Sequence, residues 1–191
     1  MASIAQESVA QDVTEKDDSS QQLLGNVWMG RRSSDVWSGG FRFTTIPDIA
    51  SGDTIDTATL TLEFVSTSGT AVVNSFCEAA DTATTFDASN RPSVLTPTTA
   101  STALSTPFSA GQNANDVTNA VQEVINRGGW AANNDINILC LHGEAAGTPV
   151  NLEQVDDKDR THSSPVAAKL DIDFTAASAG SLLLLRRRRG A

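Results

Sequence analysis

Alternating apolar and polar residues predict β-strands over much of this 191-residue chain. The clearest case is the stretch 41–64, whose last six residues read TLTLEF. Because successive side chains of a strand point to opposite faces of a sheet, this pattern gives one face for a core and one for solvent. Pro47, Gly52 and Asp53 lie inside the stretch and predict a turn between two strands.

Other runs follow the same rule. The strongest is 166–174, in which every second residue is apolar, and shorter strand-like runs lie at 23–31, 71–79 and 136–141. Many short strands of this kind predict a mostly β fold, a two-sheet antiparallel β-sandwich of jelly-roll type. Trp28 and Trp37 would serve as large apolar anchors of this sandwich.

One segment has helical periodicity instead. In residues 116–128 the apolar side chains recur at the spacing of one helix face, at Val117, Ala120, Val121, Val124 and Ile125. Asp116 can accept hydrogen bonds from the first free backbone N–H groups, and Gly128 can take the left-handed conformation that ends many helices. We expect one short amphipathic α-helix that packs on the sandwich, with Trp130 beside it.

Composition divides the chain into one domain with two unlike ends. Residues 1–22 are polar and predict an N-terminal arm outside the core. Residues 23–175 hold the predicted strands and helix, which is enough for one two-layer core. The tail, residues 176–191, joins four leucines to four arginines: Leu182, Leu183, Leu184, Leu185, Arg186, Arg187, Arg188 and Arg189.

The charge is distributed unevenly. The net charge is −10, and without the four tail arginines it would be −14. An acidic body disfavours a specific nucleic-acid partner, because phosphate binding requires clustered Lys and Arg. The first 18 residues lack the pattern of a secretory signal, and no apolar run is long enough to predict a membrane span. We therefore expect a protein made in a cytoplasm, without a membrane partner.

Residue types that carry chemistry are sparse. The two histidines, His142 and His162, cannot form a three-histidine zinc site within one chain, and the common nucleophile, phosphate-loop and dinucleotide motifs are absent. Asp156, Asp157 and Asp159 could hold Ca²⁺, but interleaved basic residues favour a solvated charge cluster. We expect no enzyme activity, no catalytic residues, no cofactor and no metal.

Cys77 and Cys140 each lie in an apolar strand-like run. We interpret them as buried small side chains, since free cysteine is among the most buried residue types. A disulfide between them would require Cα atoms within about 7 Å, which the sequence leaves open.

Two segments are candidates for partner contacts. Residues 81–112 form a long Thr/Ser-rich stretch interrupted by Pro92, Pro97 and Pro107, and proline cannot donate to a sheet ladder. Because long loops in compact domains often carry function, Pro92 and Pro97 mark the first candidate. The tail is the second, since its leucines could bury in a groove of the partner while its arginines pair with acidic groups.

Six short segments within residues 23–175 form a recognisable series. They are GR (30–31), FRF (41–43), IP (46–47), GDTIDTATLTLEF (52–64), DVTNAVQEVINRGGW (116–130) and SSPVAAKLDIDF (163–174). Together they resemble a DNRLRE-type, carbohydrate-binding-module-like β-sandwich, in the variant found in tailed-phage virion proteins.

The resemblance implies a virion structural protein, most concretely a capsid decoration, or cement, protein. Such a protein stabilises the phage head through contacts with the major capsid protein or other virion proteins, and we expect homo-oligomers on the particle. It would assemble in the host cytoplasm. The alternative is a carbohydrate-binding module of a tail fibre, baseplate or bacterial surface, which would expose Trp28, Trp37 or Trp130 to a glycan.

Overall fold

The computed structural model describes residues 1–7, 12–16, 21–22, 27–32, 35–68, 71–104, 110–143, 151–155 and 166–177. These parts of the chain form twelve strands and one helix. In chain order they are β1 (Ala2–Glu7), β2 (Val13–Lys16), β3 (Gln21–Gln22), β4 (Val27–Arg32), β5 (Asp35–Phe43), β6 (Thr54–Ser68), β7 (Val73–Cys77), β8 (Thr102–Ala103), β9 (Gly111–Asp116), α1 (Thr118–Ile125), β10 (Ile136–His142), β11 (Asn151–Val155) and β12 (Lys169–Thr175).

The strands form two antiparallel sheets, as predicted for a β-sandwich. The first sheet contains β1, β12, β6 and β9, paired in that order. The second is built around β5, β10, β7 and β8, with β2 and β3 added along β5. Hydrogen bonding continues from one sheet to the other, because β11 joins β6 to β4 and β4 pairs with the start of β5.

The alternating residues of the sequence form the core between the sheets. Leu60, Leu62 and Phe64 of β6 and Phe41 and Phe43 of β5 are at most 1% exposed. They belong to one cluster with the apolar residues of β12 and α1. Removal of this apolar surface from water is the main favourable term in folding.

A second, smaller cluster covers the outer face of the second sheet. There Phe86, from the long segment after β7, packs against Val13 of β2 and Leu139 of β10. Gly40 of β5 leaves room for this contact, since a Cβ at Gly40 would lie 2.6 Å from the Phe86 ring. β10 is therefore buried on both faces, which explains its nearly continuous apolar sequence.

The helix is shorter than predicted. All five apolar residues of the predicted stripe are buried, but α1 ends at Ile125 and Gly128 has no left-handed conformation. The last turn is closed instead by Arg127 N, which donates to Val124 O at 3.0 Å, so no left-handed residue is required. Among the described residues, no helix has the length and apolar character to cross a membrane.

The helix also completes the edge of β6. β9 pairs with residues 59–64 of β6. Before Thr59, side chains of α1 form hydrogen bonds with the backbone of β6. Gln122 Oε1 accepts from Ile55 N at 2.7 Å, and Thr118 Oγ1 accepts from Ala58 N at 2.8 Å. Gln122 Nε2 also donates to Asp53 O at 3.0 Å. The helix thus supplies hydrogen-bond partners for backbone groups of β6 where β9 does not pair with them.

The prediction that residues 1–22 form an arm outside the core is wrong for residues 2–7 and 13–16. β1 pairs along β12 and buries Ile4, and β2 pairs with β5 and buries Val13. Strand pairing uses backbone groups, so a polar sequence can join a sheet when one or two apolar residues reach a core. Residues 8–11 and 17–20 lie outside the described parts.

Candidate functional site

The proline-interrupted segment after β7 is held by buried carboxylates. Glu15 of β2, which is 4% exposed, accepts from Ser93 N at 2.8 Å and from Ser93 Oγ at 2.6 Å. Arg91 Nε lies 3.6 Å from the same carboxylate. A strand near the N-terminus therefore fixes the middle of the long loop, and charge-assisted bonds of this kind are among the stronger ones in proteins.

Two further carboxylates fix the ends of the loop. Glu78 is buried and accepts from Thr84 N, Thr84 Oγ1 and Asn137 Nδ2 at 2.6–2.9 Å. Glu123 of α1 accepts from Thr99 N and Ala100 N, both at 2.8 Å. Part of the acidity of this chain is thus used to bind backbone N–H groups within the fold.

Pro92 and Pro97, the predicted contact residues of this loop, differ in exposure. Pro92 is buried, whereas Pro97 is exposed and pairs with Glu78 in an isolated bridge. Val94 between them is 54% exposed. The loop therefore presents a fixed surface around Val94 and Pro97, and Pro92 belongs to its interior.

The predicted tail begins at a fixed point. Thr175 Oγ1 donates to Asp56 Oδ2 at 2.7 Å, and Ala177 N donates to Asp53 Oδ1 at 2.8 Å. Phe174, just before them, is buried and pairs with Ala2 of β1. The predicted contact residues of the tail, Leu182 to Leu185 and Arg186 to Arg189, lie outside the described residues.

The outward side chains of the first sheet form a regular polar surface. One row across β1, β12, β6 and β9 contains Glu7, Lys169, Thr61 and Ala114. The next row contains Ala5, Asp171, Thr59 and Asp116. A third row, beyond the second, contains Ser3, Asp173 and Thr57. On the other side of the first row, Glu63 of β6 pairs with Gln112 of β9. We call this surface, with its five carboxylates and one lysine, the acidic face.

A cleft of about 370 Å³ opens at the Glu7 end of the acidic face. Its charged walls are Glu7, Glu63, Asp171 and Lys169, and Val166 and Ala167 supply an apolar part. Lys169 Nζ lies 3.0 Å from Asp171 Oδ1, so the single lysine is paired within the cleft. The described residues that line the cleft, three carboxylates and one lysine, sum to a formal charge of −2, which suits a cationic ligand with some apolar surface.

Local hydrogen bonds keep two carboxylates charged. Hydrogen bonds from the Thr118 side chain and backbone lower the pKa of Asp116, on the acidic face. Bonds from Ser89 N, Asn90 N and the Asn90 side chain lower the pKa of Asp87, which lies in the long loop. Hydrogen bonding to the ionised form favours it, so both groups remain negative at neutral pH.

The three tryptophans fall into two environments. Trp130 is 4% exposed and donates from Nε1 to Ile49 O at 3.0 Å, as expected for a residue that packs beside the helix. Trp28 and Trp37 are half-buried and contact each other, with ring centroids 6.1 Å apart and planes tilted by 39°. Trp37 Nε1 and His142 Nδ1 are buried, and no described residue gives either of them a hydrogen bond.

The cysteines are free and buried. Burial raises the pKa of the Cys140 thiol to about 12, and burial raises that of Cys77 still further. Both thiols are therefore protonated and unreactive in the folded protein. Within the described residues, no group of three His, Cys, Asp or Glu side chains could hold a metal ion. His162, Asp156, Asp157 and Asp159 lie outside those residues.

Sequence reasoning missed the acidic face as a site. The alternation of polar residues in β6 and β12 predicts a solvent-facing surface, but it does not show which other strands lie beside it. Only the pairing of β1, β12, β6 and β9 brings carboxylates from residues 7, 63, 116 and 171 together. A count of acidic residues at outward strand positions was the available signal.

A scan against protein-family models finds no match for this chain, and a search of curated proteins finds none either.

Proposed function

We propose that this protein is a structural component of a tailed-phage virion that binds other virion proteins, most concretely as a capsid decoration protein. It acts by protein–protein contact and not by catalysis. Its β-sandwich is a rigid body, and the basic tail at residues 186–189 is the element that docks on the particle.

The observation that carries this proposal is the fixed point from which the tail leaves the domain. Asp53 and Asp56 bind Ala177 and Thr175, and the buried Phe174 lies just before them. A docking peptide with a fixed root has less conformational freedom to lose when it binds than one on a longer free linker. These bonds fix the root at one end of the first sheet.

The charge distribution supports the same role. The body is strongly acidic and the tail carries four adjacent arginines, so the tail is the part of the chain suited to an acidic partner surface. The carboxylates that hold the long loop present Val94 and Pro97 on a fixed surface, which suits a second, apolar contact.

Phage particles assembled in host cells that supply either the full chain or a chain ending at Ala177 test the proposal. The shorter chain keeps the bonds to Asp53 and Asp56, so at a salt concentration that screens the ion pairs of the tail its unfolding midpoint should equal that of the full chain. Its incorporation into particles should fall strongly. Equal incorporation of both chains would refute a docking role for the tail.

Carbohydrate binding is the second candidate, favoured by the Trp28–Trp37 pair. Half-buried aromatic rings side by side can stack on sugar rings, and Trp28 and Trp37 are the two tryptophans that are not fully buried. Glycan-array binding that is lost in Trp28→Ala and kept in Val94→Ala would support this function. Absence of binding to any glycan would exclude it.

A further inference from the structure

The acidic face and the basic tail of this chain are complementary in charge. Among the described residues, the face holds Glu7, Glu63, Asp116, Asp171 and Asp173 against a single lysine, Lys169. The tail holds four consecutive arginines and no acidic residue. We propose that the acidic face is a binding site for an arginine-rich peptide, and that its occupant is the arginine block of the same chain, residues 186–189.

The cleft at the Glu7 end of the acidic face is the proposed binding site for this arginine block. Arginine pairs with carboxylates through a planar fork of donors, and its aliphatic stem covers apolar surface. The cleft offers both kinds of contact, with Glu63 and Asp171 as acceptors and Val166 and Ala167 as apolar wall. Glu63 is the sharpest test residue, since it stands on a central strand and is paired with the neutral Gln112.

The spacing of the face matches an extended peptide. Rows of outward side chains on a sheet repeat every two residues, or about 6.6 Å. Alternate residues of an extended peptide have the same separation. Two arginines of the block can therefore contact successive rows, one at the level of Glu7 and Thr61 and the next at the level of Asp171 and Thr59.

The tail is long enough to reach the cleft of its own domain. β12 runs from Lys169 to Thr175, and its six residue steps span about 20 Å. Nine steps lead from Ala177 to Arg186 in the sequence, and an extended chain of that length spans about 30 Å. The root at Ala177 is held by Asp53, so the reach starts from a defined place.

Covalent linkage favours the chain's own tail over that of a second copy. A short flexible linker that can span two sites gives an effective concentration on the order of millimolar. At the micromolar concentrations of solution experiments, the tethered block therefore outcompetes blocks of other molecules. This inference does not rest on the virion role, because it concerns only the isolated chain.

The test uses full-length protein and a labelled peptide with the sequence of residues 181–191. In one protein the tail is wild type, and in the other the four arginines are replaced by R186Q, R187Q, R188Q and R189Q. Fluorescence anisotropy at low salt should show that the Gln variant binds the peptide. The wild-type protein should bind it at least about tenfold more weakly, because its own tail occupies the site.

Matched charge variants locate the site. In the Gln-tail protein, Glu63→Gln should weaken peptide binding about threefold, the size expected for one exposed ion pair. Asp48→Asn removes one exposed carboxylate from the segment between β5 and β6, which does not line the cleft, and should leave binding unchanged. Binding should also weaken as salt is added, since exposed charges are screened.

Three outcomes would overturn the proposal. If the Gln-tail protein does not bind the peptide, the acidic face is not a site for it. If E63Q and D48N weaken binding equally, the attraction is general and not located on this face. If wild-type protein binds the peptide as well as the Gln variant does, its own tail does not occupy the site, and concentration-dependent oligomers in light scattering would then identify a second copy as the occupant.

Discussion

Two buried thiols make the stability of this protein sensitive to alkaline pH. Burial raises the pKa of Cys140 from 9.0 to about 12 and raises that of Cys77 too, so the folded protein keeps protons that the unfolded chain loses. A raised pKa in the folded state contributes stability below the unfolded value, and this contribution declines as pH rises above about 9.

The free energy of unfolding should therefore fall between pH 9 and the folded pKa of about 12. Each thiol contributes a slope of up to about 1.4 kcal/mol per pH unit. Urea unfolding of wild type and Cys140→Ala at several alkaline pH values measures this slope. The variant should be less stable at pH 7 but should show a shallower decline, and equal slopes would contradict the assignment.

At the scale of elements, the sequence predicted the strands and the helix in which apolar side chains recur at a regular period. Alternating apolar residues predicted β6 and β12, and apolar residues at helical spacing predicted α1. Both patterns also predicted the buried face of each element, because the residues that face a core must be apolar. β1 and β2 were missed, since backbone hydrogen bonds hold them and each contributes little apolar surface.

For the candidate sites too, the sequence predicted the local features and missed those that depend on distant segments. The sequence located the basic tail, because consecutive arginines are a local feature. It did not predict the acidic face or the anchored loop. The acidic face depends on strand register between distant segments, and Glu15, Glu78 and Glu123 bind backbone groups of a loop whose position no local pattern encodes.

The helix should stabilise the edge of β6 through one side chain. Gln122 bonds both Ile55 N and Asp53 O, so Gln122→Ala should lower the free energy of unfolding by about 1–2 kcal/mol. Asn119→Ala, on the exposed side of the same helix, should change it by less than about 0.5 kcal/mol. Chemical denaturation measures both, and equal effects would show that the edge contact is unimportant.

The long loop should depend on β2. Glu15→Ala removes the acceptor of both Ser93 bonds from a buried site and should cost about 2–3 kcal/mol of folding stability. Ser93→Ala should cost less, and the double variant should cost less than the sum of the two. A double-mutant cycle measures this coupling, and strict additivity would contradict a direct contact.

At the scale of the whole molecule, the two ends of the chain should differ in their effect on stability. Deletion of residues 1–11 removes β1 and exposes the edge of β12, so the unfolding midpoint should fall and aggregation should increase. Deletion of residues 178–191 keeps β12 and the bonds of Ala177, and should leave the midpoint unchanged at a salt concentration that screens the ion pairs of the tail. Thermal unfolding of the two truncated proteins checks this, and equal midpoints would contradict the placement of β1 in the domain.

The whole molecule combines an acidic β-sandwich with a basic tail, and hydrogen bonds hold the start of this tail at Thr175 and Ala177. In solution the tail would bind the acidic face, and on a particle it would exchange that contact for one with an acidic partner surface. Exchange of this kind costs little free energy, because one set of ion pairs replaces another.

The central claim, that the protein is a structural component of a virion, is tested most directly by its copy number in purified particles. Quantitative mass spectrometry of gradient-purified particles gives its ratio to the major capsid protein. We predict a ratio of the same order as that of the capsid subunits. Absence of the chain from particles would contradict the claim, and only a few copies per particle would contradict a decoration role and indicate a tail component.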